Sequence, residues 1–271
     1  MYTVAYMFLL LANLYFISKN FNERIFFSQR VLSIFHFQQQ NFCPMLRGQL
    51  ILIEGLDRSG KSTQASILAS RFTQSKLIKF PERSTAIGQL INEYLTNKQF
   101  QLSDQSAHLL FLANRWELNQ EILNLLHQGY FVILDRYIYS GIAYTLAKHK
   151  DMETTGATEA TSVDSSTNLS NVEWLLAPDK GLPKPDLTMF LTLDMDEISS
   201  RKGWGDERYE MVEFQSRVKQ CFLEVLDDAS DPSVRIVDVG KKSIEQVADL
   251  LWNVVESSKA NVLTDKSIGH V

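Results

Sequence analysis

The stretch Ile51–Thr63, ILIEGLDRSGKST, constrains the chain more than any other. An aliphatic run ends at Gly55, four residues follow, and Gly60, Lys61 and Ser62 complete the spacing of a phosphate-binding loop set between a strand and a helix. Each residue type has a physical reason. The two glycines let the backbone take conformations that a Cβ forbids, so successive N–H groups converge on a phosphate. A helix expected from about Lys61 to about Gln74 adds the positive end of its dipole, and Ile67, Leu68 and Phe72 give it an apolar face. Lys61 is then placed to reach β- and γ-phosphates as a point charge, and the Ser62 hydroxyl to take one position on Mg²⁺. The alternative, a chance glycine-rich turn, accounts for none of these neighbours.

The chain downstream alternates strand and helix signals. Ser75–Phe80 reads as a short strand stopped by Pro81, and Thr85–Leu95 as a helix with Ile87, Leu90, Ile91 and Tyr94 on one side. Ser103 or Asp104 can cap a helix running to about Leu126, with Leu109, Leu112, Trp116 and Ile122 as its apolar stripe. Tyr130–Leu134 is a continuous apolar run, the pattern of a strand covered on both faces, and it delivers Asp135, Arg136 and Tyr137 at its carboxyl end, where ligand groups belong in an open α/β sheet. Leu187–Leu193 and Val234–Val239 read as further strands, a helix passes through Phe214, Val218, Phe222 and Leu226, and Ser243–Gln246 is a capping box for the last helix, which ends near Val255. This order predicts an α/β fold with a doubly wound parallel sheet of about five strands.

Two segments break the pattern. In Asp151–Ser170 nine of twenty positions are Ser or Thr, which suggests a mobile surface loop. Glu197–Glu210 carries Arg201, Lys202 and Arg208 around Gly203, Trp204 and Gly205 and reads as a flexible basic lid. Residues 1–44 form an extension whose first seventeen residues are uncharged and almost wholly apolar. A targeting segment, a membrane anchor of marginal length, and a functional start at Met45 all remain open for it. The domain proper is expected over 45–260, with a tail at 261–271.

A net charge of −5 gives no basic face for nucleic acid, so the anionic ligand must be small and locally captured. Two isolated cysteines make neither a disulfide framework nor a metal site. The guanine-reading Asn-Lys-x-Asp is missing too, because Asn97-Lys98-Gln99-Phe100 lacks the acid. What remains is a set of arginines outside the loop: Arg83 after one strand, Arg136 after another, Arg115 on a helix, and those of the lid. Phosphoryl transfer between two nucleotides must neutralise donor and acceptor phosphates, a task suited to planar guanidinium groups. A lone arginine is more often a solvated surface charge, but three at sheet carboxyl ends or beside apolar runs are harder to dismiss.

In order, EGLDRSGKSTQ (Glu54–Gln64), FPERST (Phe80–Thr85), HLLFLANRWE (His108–Glu117), DRYIYSG (Asp135–Gly141), GLPKPD (Gly181–Asp186) and GDERYE (Gly205–Glu210) resemble thymidylate kinase of the eukaryotic type, over about Met45–Val255. The resemblance implies a sheet order 2-3-1-4-5 and the reaction of ATP with dTMP to give ADP and dTDP, with Mg²⁺. It further implies a homodimer, a cytoplasmic or nuclear setting (mitochondrial if residues 1–44 target the chain there), no membrane association unless residues 1–44 anchor it, and leaves dUMP open as a second acceptor.

Residue by residue, the resemblance places Gly55, Arg58, Ser59, Gly60, Lys61, Ser62, Thr63 and Arg201 around ATP, and Phe80, Arg83, Ser140 and Gly141 around dTMP. It has Phe111 stack on the base and Arg115, one turn later, hydrogen-bond it; without the motif, Phe111 reads as core packing rather than as a ligand contact. Arg83 would hold the acceptor phosphate and Arg136 would bridge acceptor and donor. Asp57 would engage the sugar 3′-hydroxyl, Tyr144 would lie under the deoxyribose, and Asp135 would support Mg²⁺ through water. Arg58 is expected to stabilise the γ-phosphoryl group, the alternative being a surface charge paired with a nearby acid. A P-loop kinase of another pyrimidine nucleoside or monophosphate, and an ATP-binding regulator without turnover, are the competing readings.

Overall fold

Strand β1 (Leu50–Gly55) is buried at every position, and β3 (Phe131–Asp135) likewise, so these two runs can only lie inside a sheet covered on both faces. The computed structural model describes residues 46–155, 169–201 and 208–271, with backbone alone at 151–155. All fall in one unit, Leu46–Val271. The amino-terminal extension, most of the Ser/Thr-rich loop, and Lys202, Gly203, Trp204 and Gly205 of the expected lid lie outside the described residues.

With β2 (Ser75–Lys79), β4 (Leu187–Thr192) and β5 (Val234–Asp238) the sheet has the order β2-β3-β1-β4-β5, every pairing parallel, as the resemblance implies. Successive β1 residues enter different clusters. Ile51 and Ile53 pack with Ala65 and Leu68 of α1 (Lys61–Ser70), while Leu50 and Leu52 pack with Leu118, Ile122 and Leu126 of α3 (Asp104–His127). Helix α2 (Ala86–Thr96) is capped by Thr85, α3 by Ser103, and α8 (Ile244–Ser257) by the expected capping box. The remaining helices are α4 (Ile138–Thr155), α5 (Val172–Leu176), α6 (Met195–Ser199) and α7 (Val212–Val225).

Several local expectations are corrected. Helix α1 ends at Ser70, four residues before Gln74, because Arg71 and Phe72 turn into the link to β2. The expected apolar stripes do not all face inward. Leu90 is 47% exposed, Leu109 43% and Trp116 38%. The buried face of α3 instead carries His108, Asn114 and Arg115, so polar residues occupy positions that a hydrophobicity pattern assigns to the outside. Helix α4 has no counterpart in the sequence reading, and its backbone continues to Thr155 inside the segment read as loop. The stretch read as lid from Glu197 begins as the helical turn α6.

The last residues run back along the domain. Arg47 pairs bidentately with Asp186 at 2.8 and 2.7 Å and donates to Lys266 O and Ser267 O. Gln49 donates to Lys259 O and Val262 O, and isolated bridges join Arg47 to Thr264 and Pro183 to His270. Removing one partner of so buried an ion pair typically costs about 3–5 kcal/mol.

Candidate active site

The carboxyl ends of β1 and β3 open into a cavity of about 560 Å³. Its phosphate end is the Gly55–Ser62 loop. Gly55 sits at φ 154°, where a Cβ would lie 2.8 Å from Leu191 O, and Gly60 sits at φ 93°, so neither position admits a side chain without strain. Lys61 opens α1, is buried, and donates to Leu56 O, with Ser59 Oγ 3.4 Å away. Burial brings its ammonium down to about 7, helped by the positive charge of Arg136 and opposed by Asp57, Asp135 and Glu54. Gly60, Lys61, Ser62 and Thr63 line the cavity, whereas Gly55, Ser59 and Asp135 stand behind it.

Ser62 Oγ donates to Asp135 Oδ2 at the end of β3, while the other oxygen of that buried carboxylate, Oδ1, has no hydrogen-bond partner. A hydroxyl and a half-satisfied carboxylate beside a phosphate loop suit a hard divalent cation, whose remaining ligands would be phosphate and water. No cluster of three or more His, Cys, Asp or Glu side chains exists among the described residues to hold a metal by protein ligands alone.

The middle of the cavity is a charge network. Arg136, held at φ 72°, donates from Nη2 to Asp57 Oδ1 and from Nη1 to Gly55 O and Ser140 Oγ, each at 3.1 Å for the latter two. Asp57 Oδ2 accepts from Tyr144 OH and from Gln215 Nε2, both at 2.9 Å. Burial pushes the Asp57 carboxyl up, but Arg136, Lys61 and these hydrogen bonds outweigh it and hold it below the usual carboxylate range. Below them, wholly buried Glu54 accepts from Tyr137 N, Ser140 N and Ser140 Oγ, which fixes the turn carrying Arg136 and the start of α4. Burial raises the Glu54 carboxyl despite Arg136 and those bonds.

Arg58 lies on the rim at φ 62°, its Nε 2.7 Å from Glu210 Oε1, so the alternative of a paired acid is realised in geometry, although Arg58 still lines the cavity. Arg201 reaches over the loop to Arg58 O at 2.6 Å and is steadied by Glu197. Arg208 departs from the expected basic lid. It is turned onto the end of α2, donating to Tyr94 O, Asn97 O and Phe100 O, and it does not line the cavity. Tyr94 O lies in the last turn of α2, where carbonyls lack an intrahelical partner, so a nearby cation settles there.

The far end is built by α3 and α4. Phe80 is buried against Tyr137, and Arg83, bonded to Asn92, lines the wall after the cis Phe80–Pro81 bond. Phe111 is half-buried, meeting Tyr94 edge-on while also facing the cavity, so packing and ligand contact coexist in one ring. Arg115 is buried and locked to Asp179, Nε to Oδ1 at 2.8 Å and Nη2 to Oδ2 at 2.7 Å. A Cβ on Gly141 would come within 3.0 Å of Arg115 Nη1, so this glycine lets the guanidinium pass. His108, kept uncharged chiefly by burial, bonds Thr145 and Leu175 O beside it.

Every expected site residue therefore borders or backs one cavity. Sequence reading missed Gln215, Glu54, Asp179, His108 and Tyr209. Glu54, His108 and Tyr209 stand inside quoted motifs and Asp179 two residues before one, whereas nothing in the helix around Gln215 marks it.

Residues 53–163 match the family described as thymidylate kinase. Thymidylate kinase of Schizosaccharomyces pombe is 41% identical over 217 residues, 77% of this chain and 93% of that protein. The human thymidylate kinase is 39% identical over 229 residues, 83% of this chain and 97% of that one. Among solved structures, thymidylate kinase from Candida albicans superposes with a TM-score of 0.77 at 66% identity, covering 83% of this chain and 98% of that chain.

Proposed function

The chain belongs to the thymidylate kinase family and is a dTMP kinase that takes dTMP and ATP as substrates, and from that premise we propose how its residues divide the transfer of the γ-phosphate to give dTDP and ADP. The observation that carries the proposal is the single cavity joining the phosphate loop to the Phe111–Arg115 end, with Arg136 and Asp57 between them. Loop N–H groups and Lys61 hold the donor phosphates. Arg83 and Arg136 neutralise the acceptor phosphate, and Arg136 bridges to the donor. Asp57, oriented by Gln215 and Tyr144, accepts from the sugar 3′-hydroxyl; Tyr144 lies under the deoxyribose; Phe111 stacks on the base while Arg115 donates to it. Arg58 leaves Glu210 for the transferring phosphoryl group, where charge is greatest in the transition state.

Ser62 and Asp135 would hold Mg²⁺, directly and through water; bound there it would neutralise charge on the β- and γ-phosphates. The partnerless Asp135 Oδ1 supports that assignment. A homodimer is proposed as well, for which exposed Leu90 and Leu109 on α2 and α3 offer apolar surface. Acceptance of dUMP, which lacks only the base methyl, and a cytoplasmic or nuclear setting, consistent with the free, buried Cys221, complete the reading. Among the described residues no helix is long and apolar enough to cross a membrane.

The deciding experiment is ADP release by the purified chain with ATP, Mg²⁺ and either dTMP or thymidine. Turnover with dTMP and little with thymidine is expected, since the cavity offers arginines for an acceptor phosphate and its one central carboxylate is already tied to Arg136, leaving no free base for a 5′-hydroxyl. Faster turnover of thymidine would assign a nucleoside kinase, and no turnover of either would leave an ATP-binding regulator.

A further inference from the structure

Asp179 is a wholly buried carboxylate that does not line the cavity, yet both its oxygens are spent on Arg115, which does. It closes a short 3₁₀ turn, Ala177–Asp179, anchored from two sides. Trp116, next to Arg115 on α3, donates from its indole to Pro178 O at 3.0 Å. Gly181 and Leu182 exchange backbone hydrogen bonds with Val271, and Leu182 N returns to Asp179 O. On the opposite side Gly141 of α4 leaves Nη1 no slack, since even a Cβ there would sit 3.0 Å away.

Resting on the reading that Arg115 faces the acceptor base, we propose that Asp179 is a positioning residue that locks Arg115 in one orientation and so makes the site select a 4-oxo over a 4-amino pyrimidine. A guanidinium carries only donors. With Nε and Nη2 engaged by Asp179, the Nη1 edge facing Gly141 and the cavity meets a carbonyl favourably and an amino group as donor against donor. A loosely held arginine would swing aside and tolerate either base; a pinned one leaves the mismatch buried and unpaired, which is how polar sites discriminate strongly.

The test compares Asp179→Asn, Asp179→Glu and Arg115→Lys with the unaltered full chain, measuring kcat and KM for dTMP, dCMP and ATP together with Tm. Asp179→Asn should raise the dTMP KM at least about tenfold and shrink the dTMP-to-dCMP ratio of kcat/KM by a similar factor, with the ATP KM within about twofold. Should Asn at this buried position prevent folding, Asp179→Glu keeps the charge pair but shifts the guanidinium by about one methylene, and the same acceptor-only effect is expected. An unchanged dTMP KM and base ratio in a folded Asp179 variant, beside an impaired Arg115→Lys, would overturn the positioning role and leave a structural ion pair. If Arg115→Lys itself leaves dTMP unaffected, the reading of the base end falls instead.

Discussion

The two ends of the cavity are built by opposite strategies. At the phosphate end, eight consecutive residues, Gly55–Ser62, supply turn, N–H groups, cation and hydroxyl, and tertiary packing adds mainly Asp135 and the overlying Arg201. At the far end the contributions come from four separate segments. Phe111 and Arg115 come from α3, Gly141 and Tyr144 from α4, Asp179 from the turn before β4, and Tyr209 and Gln215 from around the start of α7. Phosphate is the same in every nucleotide and can be met by backbone geometry, which a short motif encodes. A base must be met by side chains of particular shape and polarity at particular distances, and these are assembled only by packing.

The largest break in that contrast is expected from Arg58→Gly. Arg58 already occupies φ 62°, which glycine adopts without strain, so the fold should survive. Loss of charge stabilisation on the transferring phosphoryl should lower kcat by roughly 10²–10³ with little change in either KM. Steady-state kinetics at saturating dTMP would measure this; near-normal kcat would leave Arg58 as the partner of Glu210 and nothing more.

Phe111→Ala probes the other end. Base stacking contributes about 1–3 kcal/mol, so dTMP should weaken roughly ten- to a hundredfold while ATP affinity stays put. Calorimetric titration of each nucleotide separates the two; equal losses would mean that the ring serves α2 and α3 packing rather than the ligand.

The smallest effect is a pH dependence confined to the phosphate end. In the free protein Lys61 titrates at about 7, below its ordinary 10.5. The unfolded chain therefore binds more protons between those values, and stability of the free protein should rise with pH across that window. Bound polyphosphate restores the ammonium form, so ATP binding at pH 8 should take up a proton, and ATP affinity should fall by up to about tenfold per pH unit above 7. Calorimetry in two buffers of different ionisation enthalpy reports the uptake; its absence would place the Lys61 titration well above 8 in the free protein.

Legibility followed the same division. Strands β1 and β3 were readable because their burial on both faces demands continuous apolar runs, and the caps at Ser103 and Ser243 because an N-cap is a local hydrogen bond. Two positions of the α3 stripe, Leu109 and Trp116, were misread as inward because polar residues hold inward positions on that helix. Arg115 and Asn114 are satisfied inside by Asp179 and by Glu82 and Thr85, partners as much as 64 residues away, so burial there does not track hydrophobicity. Arg208 was misassigned on charge alone, since only the folded chain brings the end of α2 beneath it.

By itself, the order of residues determined the phosphate loop, the alternation of strand and helix, and through its six motifs the family, because each depends on contacts between near neighbours or on patterns that repeat along the chain. The tertiary structure alone decided which arginines line the cavity and which turn away from it, that Gln215 bonds Asp57, and that Asp179 pairs with Arg115. Those outcomes depend on the distance between groups far apart in the chain, and a charge or an amide carries no mark in the sequence of the partner it will meet.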